Sequence, residues 1–308
     1  MNARLQHRGT ASRVSSGRAR GRTERQSAFD CIRQSLDSHM TKAHDARKRL
    51  LEEPYDAKLL HAWRVSLRRV TATLKDVARF SDDDLDDVLR YLRQCREATG
   101  SCRDIDILSD ATLPAFIGKE GARLGDPEQM RQTVSDRQQE AHRQAVIALK
   151  KHDLAVPLQA WRHWVLSLDP PSDSAVRQVA AAAIEERFGT LKKRAAKLDG
   201  GQKRLHRLRT ATKKLRYTIE LYQHVFPRQS SAAWLKQLAD LQGHLGQAHD
   251  YMMGSALLPS LAGSGEEGPQ LKPFRRWAKR MAFDASKKSV HSLTRLEELR
   301  PYWRPHAH

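Results

Sequence analysis

From about residue 26 onward, apolar residues recur every three to four positions, and no stretch of five alternates apolar with polar. That period argues amphipathic helices and no strands, so the chain is expected to be all-α. The pattern predicts helices over 26–52, 57–79, 82–99, 103–112, 127–151, 153–167, 174–198, 202–226, 231–247, 249–261 and 270–298. Pro54, Pro170 with Pro171, Gly200 with Gly201, Pro227 and the 263–269 stretch interrupt them as helix breakers do. Ser81, Asp82, Asp83 and Asp84 read as a helix start, since they offer a cap and place carboxylates at the positive end of the helix dipole. These acids are expected to be structural and not metal ligands.

The pattern also repeats. His61, Arg64, Arg68 and Arg69 reappear as His206, Arg209, Lys213 and Lys214, an offset of 145 residues. Gly100, Arg103 and Asp104 have counterparts in Gly246, His249 and Asp250 at an offset of 146. With about 100° per residue and His61 at zero, Arg64, Arg68 and Lys75 fall in one narrow basic stripe. Trp63, Leu67, Val70, Leu74 and Val77 gather on another face, the one that packs inward. In the second copy Leu208, Leu215, Ile219 and Tyr222 take the core side, and His206, Arg209, Lys213 and Arg216 the other.

Charge sharpens this picture. Against 36 Asp and Glu stand 55 Lys and Arg, a formal net charge of +19 over 308 residues. Seven arginines and one acid lie in residues 1–25 among Ser, Thr and Gly, which marks a disordered Arg-rich arm. The excess persists beyond the arm. Residues 203–228 carry eight Lys and Arg with Glu220 the single acid, and residues 61–80 carry Arg64, Arg68, Arg69, Lys75 and Arg79 with Asp76 alone. A merely solvated face would interleave both signs, whereas like charges three and four apart repel until an anion neutralises them. A polyanionic partner is the first expectation.

The repeated helix, with an Arg-Asp after a Gly-ended helix, resembles the CHAD family, the conserved histidine α-helical domain. The resemblance spans about 26–305, with one repeat over about 26–167 and the other over about 172–300. It implies two four-helix bundles related by pseudo-twofold symmetry, forming one compact unit around a central basic groove. It further implies binding of inorganic polyphosphate there and association with polyphosphate granules, without catalysis. By position the implied ligand residues are His61, Arg64, Arg68, Arg69, Lys75 and Arg103, then His206, Arg209, Lys213, Lys214 and Arg216. Thr71 stands where the family commonly has another arginine, and His249 where the second repeat often has Asn. Both departures bear on the symmetry of the site more than on its existence.

The chemistry of such a row is plain. A flexible chain of phosphates is held by point charges and guanidinium forks, and counterion release favours binding as it does for nucleic acid. Histidines in the row are pushed neutral by surrounding cations and charged by bound phosphate, so their protonation couples to binding. Nonspecific nucleic-acid binding is the alternative, although no zinc finger, basic zipper or aromatic stacking pattern accompanies the basic stripes. A metal-dependent phosphohydrolase is a more distant one, suggested by His44-Asp45, His152-Asp153 and His249-Asp250; no His pair at i and i+4 supports it. No cofactor is expected. Cys31, Cys95 and Cys102 lack zinc spacing and are read as reduced and structural. No apolar run is long enough to cross a bilayer and no apolar signal segment opens the chain. A soluble cytoplasmic protein, carried on granules where they form and without a membrane partner, is the expectation.

Overall fold

The computed structural model describes residues 26–121, 127–198, 201–261 and 271–304; the Arg-rich arm lies outside them. Eleven α-helices follow one another among the described residues, and no strand occurs. They are α1 (Ala28–Glu52), α2 (Ala57–Val77), α3 (Asp86–Glu97), α4 (Gly100–Ile107), α5 (Leu113–Glu120), α6 (Glu128–Lys151), α7 (Ala155–Ser167), α8 (Asp173–Ala195), α9 (Gln202–Tyr222), α10 (Arg228–Leu261) and α11 (Leu271–Glu297). A π-helical turn, Leu108–Thr112, carries α4 into α5.

Local signals explain most boundaries. The Ser27 hydroxyl accepts the Asp30 amide at 3.1 Å to start α1, and the Ser172 hydroxyl accepts the Ala175 amide at 3.3 Å to start α8. Asp56 caps α2 through the Lys58 amide at 2.7 Å. The core faces of α2 and α9 are those the periodicity predicts: Trp63, Leu67, Val70, Leu74 and Val77 on one, and Leu208, Leu215, Ile219 and Tyr222 on the other, are fully buried or nearly so.

Other boundaries fall within a few residues of the sequence reading, and three features depart from it further. Helix α3 starts at Asp86 and not at 82, because Ser81 and Asp84 turn their side chains onto the Asp83 and Asp86 amides and hold 81–85 as a loop. Asp86 and Asp87 then occupy the first turn. Helix α5 lies outside the helices that the periodicity predicts; Pro114 sits at its second residue, where an amide hydrogen is not required. The segments 231–247 and 249–261 are one helix, α10, because Trp234, Leu238, Leu241, Leu245 and Ala248 bury one stripe without a break.

Among the described residues, the apolar side chains form two cores. The larger joins α1–α4 and α7–α9 with much of α6 and α10, the end of α11, and Trp303. The smaller joins Leu108, Leu113 and Phe116 to Met130 and Val134 of α6, Leu258 of α10, and Phe274 and Trp277 of α11. Both therefore draw on early and late parts of the chain. Helix α10 comes close to the π-helical turn at Gly254, where a Cβ would lie 2.9 Å from the Thr112 methyl. Only glycine permits that approach.

The start of α1 is tied directly to the start of α8, since the Ala28 amide donates to Asp173 Oδ1 at 2.8 Å across 145 residues. Helices α2 and α9 meet near their C-terminal ends. There the buried Asp76 carboxylate accepts the Thr218 hydroxyl at 3.0 Å, and its backbone carbonyl faces the Tyr222 hydroxyl at 3.4 Å. This meeting splays the two basic stripes along the walls of one depression.

Candidate functional site: a cationic cavity between four helices

A cavity of about 370 Å³ opens between α2, α3, α8 and α9. Arg68 and Lys75 come from α2, Arg93 and Arg96 from α3, Arg187 from α8, and Arg209, Lys213 and Lys214 from α9, with His206 at one end. Thr71, Thr210, Tyr217 and Thr218 complete the polar lining. Among the described residues, Asp76 is its one carboxylate, and that group is already held by Thr218 and by Arg79 at 3.3 Å. Among the described residues, Arg68, Lys75, Arg93, Arg96, Lys213 and Lys214 have no carboxylate within ion-pair distance.

The cations raise one another's energy. Burial first, then the charges of Arg209 and Arg68, push the Lys213 ammonium down to about 6, with only Asp250 acting the other way strongly. Burial likewise depresses Arg68, whose neighbours Arg96, Arg209 and Arg103 add to the effect, and Arg209, which Asp250 and Asp104 partly relieve. His61 and His249 both fall to about 4, from desolvation and then from Arg103 on the first and Arg209 on the second. His61 is nonetheless exposed as a residue, so the shift reflects crowding by cations and atoms on one side more than enclosure. His206 is lowered for the same reasons, with its ring centroid 5.6 Å from that of His249. An anion entering this space would relieve all of these shifts at once.

Six of the residues expected from the sequence therefore line one cavity: Arg68, Lys75, His206, Arg209, Lys213 and Lys214. His61 and Arg103 stand beside it, close enough for Arg103 to act on His61, Arg68 and Asp250. Arg64 is placed otherwise. It is buried, and its Nη1 donates to Thr99 Oγ1 at 2.8 Å and to the Arg96 carbonyl, closing the C-terminal end of α3. Burial and the Arg68 charge bring even this guanidinium down to about 10. Arg69 and Arg216 face away from the cavity and share the Glu220 carboxylate, at 2.5 and 2.9 Å.

Sequence reasoning missed Arg93, Arg96 and Arg187. The first two carry a legible signal, since Arg90, Arg93 and Arg96 recur every three residues along α3. Arg187 carries none, being one of several charges at 185–187. Cationic surface also continues outward. His206 borders a depression with Lys203, Arg207 and His249, and Arg207 borders another with Arg194, Lys197 and Arg204.

The cysteines are free thiols, with Cys95 and Cys102 buried. Cys102 belongs to a cluster that the sequence spacing did not suggest: its Sγ, an Asp106 oxygen and a His142 nitrogen lie within 4.8 Å of one another. The cluster is closed by hydrogen bonds, because Asp106 accepts from Tyr55 at 2.9 Å and from Gln138 at 3.1 Å and meets His142 at 3.1 Å. It lies apart from the cavity lining. Among the described residues, no helix is long and apolar enough to cross a membrane.

The family model of the CHAD domain matches residues 34–259. The fold is similar to the crystal structure of the CHAD domain from the plant Ricinus communis, at 23% identity and a TM-score of 0.71, covering 89% of this chain and 93% of that one. It is also similar to PptA from Streptomyces chartreusis, at 15% identity and a TM-score of 0.63, covering 87% of this chain and all of that one. None of the curated proteins matches the sequence.

Proposed function

Because the chain belongs to the CHAD domain family, we propose that its cavity holds inorganic polyphosphate, binding it without cleaving it. One observation carries the reading: among the described residues, eight Lys and Arg from four helices line a single cavity whose only carboxylate is already engaged. Such an arrangement destabilises the free protein unless each cation is matched. A linear anion with a charge on every unit matches a row of cations spaced along two helix faces, and Arg68, Arg96 and Arg209 offer paired donors to phosphate oxygens. The concave, four-walled shape suits a single-file chain; a rigid duplex lies only across its mouth. The cations of α8 and α9 outside the cavity, and the arm at 1–25, then extend the hold on a long chain by avidity. Residence on polyphosphate granules in the cytoplasm follows from that grip.

The lining includes His206 and the lowered Lys213 as basic groups; the proposal is nonetheless of a binder. The test is competition. At matched phosphate concentration and salt, long-chain polyphosphate should displace duplex DNA, and Arg68→Glu with Arg209→Glu should abolish polyphosphate binding while leaving the protein folded. Incubation with magnesium, manganese or zinc should leave polyphosphate and nucleoside triphosphates intact. DNA binding as tight as or tighter than polyphosphate transfers the site to nucleic acid, and turnover in the purified protein makes it an enzyme.

A further inference from the structure

Away from the cationic cavity, two packed helices each bring a pair of polar residues, four positions apart, to one place. Cys102 and Asp106 lie one turn apart on α4, and Gln138 and His142 lie one turn apart on α6, which packs against it. Tyr55, from the turn between α1 and α2, closes the group. Its hydroxyl lies 3.0 Å from Cys102 Sγ and donates to Asp106 Oδ2 at 2.9 Å. Its ring stacks on the His142 imidazole at a centroid distance of 3.5 Å and fixes the plane of that ring.

A sulfur of Cys102, an oxygen of Asp106 and a nitrogen of His142 all lie within 4.8 Å of one another. Bonds of about 2.3 Å to sulfur and about 2.0 Å to nitrogen set tetrahedral ligand atoms about 3.3–3.6 Å apart, so a movement of about 1 Å brings all three onto one ion. Charge points the same way. Asp106 is fully buried, accepts from the neutral groups of Tyr55 and Gln138, and meets His142 at 3.1 Å; among the described residues no Lys or Arg lies within ion-pair distance of it. A carboxylate so placed keeps a desolvation cost that a cation removes. Thiolate and carboxylate together cancel the charge of a divalent ion, which leaves the buried site neutral. The His142 side chain, 22% exposed, gives the ion a way in from solvent.

We infer that Cys102, Asp106 and His142 form a structural site for a divalent transition metal, with zinc the ion that suits their donor set and the Tyr55 hydroxyl the nearest fourth ligand. Sulfur and imidazole nitrogen select zinc over magnesium or calcium. Gln138 orients the carboxylate: its Nε2 donates to Asp106 Oδ1 at 3.1 Å while its Oε1 accepts the Ser109 hydroxyl at 2.9 Å. As the sulfur–zinc bond forms, the Cys102 thiol proton passes to solvent, and the hydrogen on His142 Nε2 is exchanged for one on Nδ1. Each zinc thus releases one proton, and nothing is oxidised or reduced. The ion staples the α1–α2 turn, α4 and α6 together. The site stands independently of the polyphosphate reading.

The experiment uses the full chain, reduced and free of polyphosphate, with cobalt(II) as the spectroscopic probe and zinc as its competitor. One equivalent of cobalt should produce a thiolate-to-metal charge-transfer absorption that one equivalent of zinc removes. The band should vanish in Cys102→Ser and persist in Cys31→Ser and in Cys95→Ser. Serine keeps a partner for the Tyr55 hydroxyl, and melting without metal confirms the fold. Should that variant not fold, His142→Gln replaces it and should lose zinc affinity by at least about a hundredfold. Gln138→Ala should weaken zinc binding by about tenfold or more and keep the cobalt band. Zinc at a hundred times its Kd should raise the wild-type melting temperature by about 4 °C and leave Cys102→Ser unmoved. A wild type without the charge-transfer band overturns the site, even where zinc binds, because surface histidines then hold the ion. A band that survives Cys102→Ser overturns it as well.

Discussion

Consider polyphosphate affinity followed upward from neutral pH, with Lys213 as the group that responds. Arg209 on its own helix, Arg68 and Arg64 from α2, and Asp250 from α10 act on it, and the ammonium is lowered from 10.5 to about 6. At pH 7 the ligand-free lysine is therefore about nine-tenths neutral. A bound polyanion restores its charge, so binding takes up close to one proton. Between the free and bound pKa values log K then falls by up to one unit per pH unit, or roughly thirtyfold from about pH 7 to about pH 8.5. His61 and His249, near 4 when free, are neutral throughout that window and contribute only at lower pH. The same shift acts on folding with the opposite sense. A lysine whose folded pKa lies below its unfolded value must lose a proton to fold, so the ligand-free protein gains stability as pH rises from about 6 toward 10.5. Titration calorimetry in two buffers of different ionisation enthalpy counts the proton directly. Lys213→Arg should bind with little dependence on pH, and Lys213→Met should bind more weakly and equally flatly. A wild-type affinity that is constant across the window, or a slope that survives in Lys213→Met, refutes the reasoning.

Other consequences are simpler to measure. Arg68→Glu should weaken polyphosphate binding by at least about tenfold with an unchanged or higher melting temperature, because it relieves like-charge repulsion. Arg64→Glu should instead unfold the protein or cost about 3 kcal/mol or more in urea titration, since it buries a carboxylate against the Arg96 carbonyl. Thr218→Val, which removes a donor from the buried Asp76, should cost about 1–3 kcal/mol by the same assay. Gly254→Ala should destabilise by about 1–3 kcal/mol, because its methyl must displace Thr112.

The parts of the molecule legible in its sequence are those decided by a single helix. The core stripes of α2 and α9 follow from residue spacing, and so does the cationic face that places Arg68, Lys75, Arg209 and Lys213 together. Arg64 falls on the same stripe, yet it turns inward because the last carbonyls of α3 need a donor, and nothing within α2 announces where α3 will end. The pairing of Arg216 with Glu220 at i and i+4 was available from spacing alone. That of Arg69 with Glu220, across 151 residues, was not. The Ser81–Asp84 cluster misled by four residues for a related reason: the same side chains that cap a helix also stabilise the loop before it, and Trp164, from α7, holds Asp83 in that loop at 2.7 Å.

The larger core has a kinetic side. It takes α1 and α2 from the first part of the chain and α8 and α9 from the second, and the tie between the Ala28 amide and Asp173 spans the same distance. Neither half closes that core alone, so the entropy of joining segments about 145 residues apart is spent before most of the burial is gained. During synthesis the first helices wait, with apolar faces uncovered, until α8 and α9 have emerged. In that interval the partner face of a second chain is as good a match as the chain's own, so exchange of halves between molecules is the characteristic error open to this architecture. The segment around Asp169–Ser172 is where such an exchange would cross over, and a proline pair, Pro170 and Pro171, stiffens it.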